Sequence, residues 1–181
     1  MTISTPIRTQ AERADQTRAR ILAAAVRQFS ENGLAGARTE LIAEAAGVNK
    51  ALLYYYFKSK DALYAAALES VFEGVRADSE AVLGANASVG ERFVQIVLNN
   101  FDRSYSHASL RAFMQQEMVR LHRGEENVLE RMAEKFFQPL WLRIDELIKA
   151  GIASGELILV DPSQIRYTAL GANVFTFSSR R

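Results

Sequence analysis

The chain has 181 residues, 49% of them apolar, with three prolines, no cysteine and a formal net charge of +1. That length admits one or two small domains with a substantial core, and the missing cysteines exclude a disulfide framework and any thiolate metal site, which fits a reducing cytoplasm. No apolar run approaches the roughly 18–20 residues of a membrane span, and the polar start is not a secretory signal.

Richness in Ala, Leu, Glu and Arg favours helix, so an all-α fold is expected. The charge is unevenly spread. Residues 1–60 hold nine Lys or Arg against five acids, and the remainder thirteen against sixteen. A basic first third ahead of an acidic remainder suits a nucleic-acid-binding head with a separate body, although asymmetry alone is weak evidence.

In chain order, residues 1–15 (MTISTPIRTQAERAD) are expected to form a flexible polar arm. Its Arg8 and Arg13 are more simply solvated than bound to phosphate. A first helix is predicted over about 17–32, with Ile21, Leu22, Ala25, Val26 and Phe29 on one face and Asn32-Gly33 as the stop. A second is predicted over about 38–46 and a third over about 49–57. Gly47 is the pivot between them, because a chain that closes a helix and turns within a few residues usually needs positive φ. Ala43, four residues earlier, is small enough for a close crossing, and Leu53 and Phe57 supply the buried side of the third helix. A helix-turn-helix of this kind places its second helix in the DNA major groove.

Ser59 should cap a fourth helix reaching about Leu83, with Asp61 in its first turn. The stretch 84–90 (GANASVG) is the best candidate for a domain boundary. Ser88-Val89-Gly90-Glu91 has the capping-box pattern and opens a fifth helix. His107-Ala108-Ser109 links to a sixth helix holding Leu110, Phe113, Met114, Glu117, Met118 and Leu121. A long seventh follows Arg123-Gly124, with Pro139 expected to kink it and 151–155 to end it. Asp161-Pro162-Ser163 starts an eighth that runs through Ala169, Ala172 and Phe175.

The segment GVNKALLYYYFKSKDALY, with ILAAAVRQFSENGLAGARTELIAEAA before it, resembles the amino-terminal domain of the tetracycline-repressor (TetR) family. The resemblance covers roughly residues 16–76. It rests on an ordered set: Phe29-x-x-x-Gly33, the run Ile42 to Val48, the run Leu53 to Phe57, and Lys58 to Leu63. One departure is Arg38, which stands where many members carry Ser or Thr. Beyond the polar arm over 1–15, the resemblance implies a DNA-binding domain over 16–76, with its helix-turn-helix at about 39–58. Residues 77–181 would then be a helical body that binds an effector and dimerises. Members usually supply one more helix beyond Arg181, so either the chain lacks a final dimerisation helix, which is the favoured expectation, or its dimer interface is reduced.

On that resemblance the DNA-contacting residues are Arg38, Thr39, Asn49, Lys50, Ala51, Leu52, Tyr54, Tyr55, Tyr56 and Lys60. Cations on phosphates supply affinity, and base edges supply specificity. Lys50 suits guanine O6 or N7, and Ala51 and Leu52 suit a thymine methyl. Asn49 either caps the third helix or reaches a base or phosphate; Thr39 either caps the second helix or bonds phosphate. The tyrosine hydroxyls suit phosphate oxygens, with Tyr56 the one expected to pack partly inside. Lys60 should clamp a phosphate beside the free N–H groups of the fourth helix.

For the body, Phe93, Val97, Phe101, Phe113, Met114, Met118, Phe136, Phe137 and Trp141 make a candidate effector lining, since aromatics and Met line adaptable apolar pockets. Each is equally an ordinary packing residue. Asn100, Arg103, Gln115, Glu117 and Asn173 are polar residues interleaved with them, more often surface or cap residues than ligand contacts. His107 and His122, the only histidines, lack metal-ligand spacing, and no catalytic constellation appears. No metal or cofactor is therefore expected. The expected function is that of a cytoplasmic homodimeric regulator, most simply a repressor. It would bind a palindromic or near-palindromic DNA operator and leave it when a small, largely apolar effector binds. An all-helical small-molecule sensor or carrier without DNA binding is the alternative, and a helical enzyme is disfavoured.

Overall fold

The computed structural model describes residues 9–126, 128–159, 161–165, 167, 168 and 171, with backbone alone at 103–106. Among them all regular structure is helical: α1 (Gln10–Gly36), α2 (Thr39–Ala45), α3 (Lys50–Phe57), α4 (Lys60–Leu83), α5 (Val89–Ser106), α6 (Ala108–His122), α7 (Leu129–Met132), a π-helical stretch (Ala133–Phe137) and α8 (Gln138–Ser154). None of the described helices is long and apolar enough to cross a membrane. Ala169 and Ala172, on the eighth helix expected to lie in a dimer interface, fall outside the described residues together with Asn173, Phe175 and Arg8.

The chain divides into two compact units, one ending at Leu68 and the other starting at Glu69. The division falls inside α4, earlier than residue 76 and well before the loop at 84–90. Packing explains this. Leu63, Tyr64, Ala67 and Leu68 are buried, and the Tyr64 ring meets Phe29 edge-on at 5.1 Å. Further along the same helix, Phe72 instead meets Phe137 at 5.2 Å and Phe136 at 6.4 Å. The break in composition at 84–90 is only the loop between α4 and α5.

In the first unit, α1 begins earlier than expected. Thr9 Oγ1 accepts from the Glu12 amide at 3.2 Å, and Glu12 Oε2 accepts from the Thr9 amide at 2.7 Å. This reciprocal capping box satisfies two otherwise orphan donors, so residues 10–15 are helix rather than loose arm. Gly33 does interrupt α1, at φ 68 and ψ 176, but a last turn follows it to Gly36. The core of this unit is Ile21, Ala24, Ala25, Phe29, Ile42, Ala43, Leu53, Phe57 and Leu63. Its apolar burial dominates its stability, each such large side chain contributing about 1.5–3 kcal/mol.

In the second unit, Ser88 and Glu91 form the expected capping box at the start of α5. Both the Ser88 hydroxyl and its amide hold the Glu91 carboxyl below its ordinary pKa. Val89, Ile96, Leu140, Ile144, Leu147 and Ile148 form the main cluster, with Phe93 and Trp141 packed on its edge. The expected long seventh helix is present as an unbroken helical run from Leu129 to Ser154, with a π-helical turn inside it. Proline at 139 has no N–H and its ring crowds the carbonyl four residues back. A wider π turn over Ala133–Phe137 precedes it, and Pro139 sits in the first turn of α8. Gly155, at φ 79, ends α8, whereas Gly151 lies inside that helix. Asp161 accepts from the Ser163 amide at 2.8 Å and opens the helical residues 162–165.

Candidate nucleic-acid interface

The turn between α2 and α3 is built by backbone hydrogen bonds. The Gly47 amide donates to Glu44 O and the Val48 amide to Ala43 O, both at 3.0 Å. This is the Schellman pattern, and its left-handed residue is Gly47 at φ 65. An L side chain there costs roughly 1–2 kcal/mol of backbone strain. Ala43 and Ala46 are buried beneath the turn, and Leu53 and Phe57 bury the inner side of α3. The Arg18 guanidinium covers the Phe57 ring at 5.3 Å.

The outer side of α3 carries the expected contact residues, in differing states. Asn49 Oδ1 accepts from the Leu52 amide at 2.8 Å, so of its two expected roles the cap is the one observed. Ala51 is exposed, and so is Leu52 at 37%. Tyr55 is 69% exposed. Tyr54 and Tyr56 are both half-buried, so the inward-leaning tyrosine is not Tyr56 alone. Tyr56 meets Tyr55 edge-on at 5.5 Å.

Thr39 departs from expectation. The helix starts one residue later than read, so Arg38 occupies the cap position, extended and without a side-chain cap bond. Thr39 is the first residue of α2 and is buried; its hydroxyl shares a 3.2 Å hydrogen bond with the Tyr54 hydroxyl. It ties α2 to α3 and does not cap. Lys60 Nζ donates to the Ala35 carbonyl at 3.1 Å, joining the start of α4 to the last turn of α1. Ser59 Oγ accepts from the Ala62 amide at 3.0 Å, as a cap should. Lys58 holds φ 62 at the end of α3; its Nζ donates to Tyr55 O at 2.9 Å and lies 5.2 Å over the Tyr55 ring.

Sequence reading missed Glu40. Its carboxylate accepts from Lys50 Nζ at 2.5 Å, bridging α2 to the amino end of α3. The Lys50 hydrogen bond holds the Glu40 carboxyl below its ordinary range, and Glu40 in turn raises the Lys50 ammonium. No local signal marks this pair, because the partners are ten residues apart and meet only when the turn forms.

In the second unit the proposed lining residues scatter in exposure. Phe113 is fully buried and Phe136 nearly so, while Val97, Met114, Met118, Phe93, Phe137 and Trp141 are half-buried. Phe101 is 43% exposed and does not join them. Glu117, read as a surface or cap residue, is wholly buried. Its carboxylate accepts from the Val128 amide at 2.6 Å, with Arg120 3.6 Å away, and pins the loop after α6. His122 Nδ1 lies 2.7 Å from the Met118 carbonyl.

Residues 21–67, which hold the whole of this turn, match the family of bacterial regulatory proteins called the tetR family. The transcriptional regulator RutR of Escherichia coli K12 is 33% identical over 150 residues, 80% of this chain and 66% of RutR. The chain belongs to the TetR family. The transcriptional repressor NicS of Pseudomonas putida is 44% identical over 63 residues, 35% of this chain and 30% of NicS. The chain thus spans just under two thirds of RutR and under one third of NicS. A TetR/AcrR-family regulator from Thermobifida fusca superposes with a TM-score of 0.68 at 26% identity, over 91% of this chain and 85% of that one. The fatty acid degradation regulator FadR of Bacillus halodurans has the same fold, with a TM-score of 0.72 at 21% identity, over 89% and 86% of the two chains.

Proposed function

We propose that this TetR-family chain is a homodimeric, sequence-specific DNA-binding repressor that acts in the cytoplasm and is released from its operator by a small, largely apolar effector. The observation that carries the reading is the α2–Gly47–α3 unit. It buries Leu53 and Phe57 and leaves Lys50, Ala51, Leu52 and Tyr55 outward on one short helix. That is a surface of cation, methyl and phenol, suited to guanine edges, thymine methyls and phosphates. RutR and NicS, named as a transcriptional regulator and a transcriptional repressor, support it. One recognition helix covers few base pairs, so two copies on a two-fold operator are expected.

The test is selection of duplexes from a randomised pool, followed by titration of the selected duplex at several salt concentrations. Two chains per duplex by light scattering, and a two-fold motif among selected sequences, are the expected results. Lys60→Ala should weaken binding to every sequence alike and lower the salt slope by roughly one. Lys50→Ala should blur preference at one base position instead. Recovery of no preferred sequence would leave an all-helical sensor or carrier as the better reading.

For the effector, α4 supplies residues to both units and is the element through which a ligand in the body is proposed to act on the head. A ligand shifts such an equilibrium only by its differential affinity for the two states, about 1–3 kcal/mol of coupling. Phe113 is a poor probe, because truncating a fully buried Phe costs about 3–5 kcal/mol by itself. Half-buried Met118 is the better one. Once a thermal-shift screen of apolar metabolites identifies a releasing compound, Met118→Ala should raise the concentration needed for release by about tenfold, equivalent to ~1.4 kcal/mol. An unchanged release curve would place the ligand elsewhere.

A further inference from the structure

The Glu40–Lys50 pair sits where a DNA-reading surface would be expected to present bare cations. Lys50 Nζ is 2.5 Å from Glu40 Oε1, and the two side chains keep 53% and 60% of their surface in water. A pair this exposed is screened by water and adds little to folding, so stability does not account for it. What the carboxylate does is electrostatic and geometric. It cancels the charge of Lys50 toward distant phosphates and draws the ammonium back toward α2, 5.9 Å above the Tyr54 ring. Asn49, whose Oδ1 caps α3, and Thr39, whose hydroxyl meets that of Tyr54, are uncharged, so Lys50 is the cation at the amino end of α3.

We propose that Glu40 is a specificity-determining residue that positions Lys50 for one guanine and penalises phosphate-only binding. The inference rests on the DNA-binding reading above. On a matching site, Lys50 donates to guanine O6 or N7 while Glu40 accepts from a cytosine N4 amino group, so both charges stay hydrogen-bonded. On any other site, Lys50 reaches a phosphate only by leaving its carboxylate. Glu40 is then stranded beside the phosphate chain, where like charge and lost hydrogen bonds both oppose binding. The carboxylate lowers affinity for all DNA, and lowers it least where a G·C pair satisfies both partners.

The experiment compares wild type, Glu40→Gln, Lys50→Met and the double variant. The probes are the duplex selected by wild type, its single-base variants and an unrelated duplex of equal length. Glu40→Gln keeps the shape and the helix, and circular dichroism checks that. It should bind the unrelated duplex more tightly and discriminate less at one base pair. Its salt slope should steepen by about 0.9, so that affinity falls about 3.5-fold further between 50 and 200 mM salt than wild type. In the Lys50→Met background the same change should leave discrimination nearly unaltered, because the glutamine oxygen still accepts from cytosine N4 and the part of the effect that passes through Lys50 is already gone. Glu40→Gln with wild-type discrimination and slope overturns the inference while leaving the regulator reading intact. An equal effect with and without Lys50 also overturns it, since Glu40 would then act on DNA independently of Lys50. Failure of wild type to select any duplex overturns both.

Discussion

Phe29→Ala is expected to destabilise the first unit by about 3–5 kcal/mol, the usual cost of emptying a fully buried aromatic site. Phe29 has no exposed surface, and its ring meets Tyr64 edge-on at 5.1 Å with an interplanar angle of 86°. Such pairs add about 0.5–1.5 kcal/mol beyond their buried area. Ile21, Ala25 and Ile42, in the core of the same unit, are themselves fully buried. Ile21 and Ala25 share α1 with Phe29 and Ile42 lies on α2, so filling the void would need the two helices to shift against each other. The thermal midpoint should fall by about 10 °C for a chain of this size. Phe29→Leu, which keeps most of the volume, should fall much less. A midpoint for the alanine variant indistinguishable from wild type would mean that the site refills and that this core is not what holds α1 to α4.

Gly151→Ala tests the second unit in the opposite sense, by adding one methyl group. A Cβ at this position would lie 2.7 Å from Val89 Cγ1 and 2.9 Å from Leu157 Cδ1. Both distances are inside van der Waals contact, and Val89 is buried at the start of α5, where a β-branched side chain has little rotamer freedom. Overpacking of this kind costs about 1–3 kcal/mol. Alanine returns at most about 1 kcal/mol of helix propensity over glycine. The net sign is destabilising, and Gly151→Leu should be worse. Val89→Ala removes the nearest atom, so the Val89→Ala, Gly151→Ala double variant should be more stable than the sum of the single changes implies, by a coupling of about 0.5–3 kcal/mol. Additive denaturation free energies would show that the clash is relieved in another way.

Both sites are glycine or apolar positions that a sequence marks only as core or helix end. Phe29 was legible as buried because it repeats at helical spacing with Ile21, Leu22, Ala25 and Val26. Gly151 was read as part of a helix terminus. Its role came into view only when α8 was seen to continue to Ser154, with Gly155 rather than Gly151 in the left-handed cap. Two flanking glycines look alike in sequence, and only backbone φ and a neighbour's side chain tell them apart.

What the sequence by itself determined was local. The Asn49 and Ser59 caps, the capping box at Ser88, the left-handed Gly47 and the inward Leu53 and Phe57 are all set by bonds or spacings within a few residues, and each stands where it was read. The Thr9–Glu12 capping box was equally local and was overlooked for the polar look of the segment around it. The tertiary structure alone decided what depends on chain segments far apart. Thr39 became a buried partner of Tyr54, fifteen residues on. Glu40 became the counter-ion of Lys50, and Glu117 a buried anchor for the loop after α6. The division between units moved into the middle of α4, because Tyr64 and Phe72 on one continuous helix find their aromatic partners in different cores. The physical reason is the same in each case. A cap or a helical face is specified by neighbours in sequence, whereas the partner of a charge, a hydroxyl or a ring is whichever group the packing of other helices brings within a few ångströms.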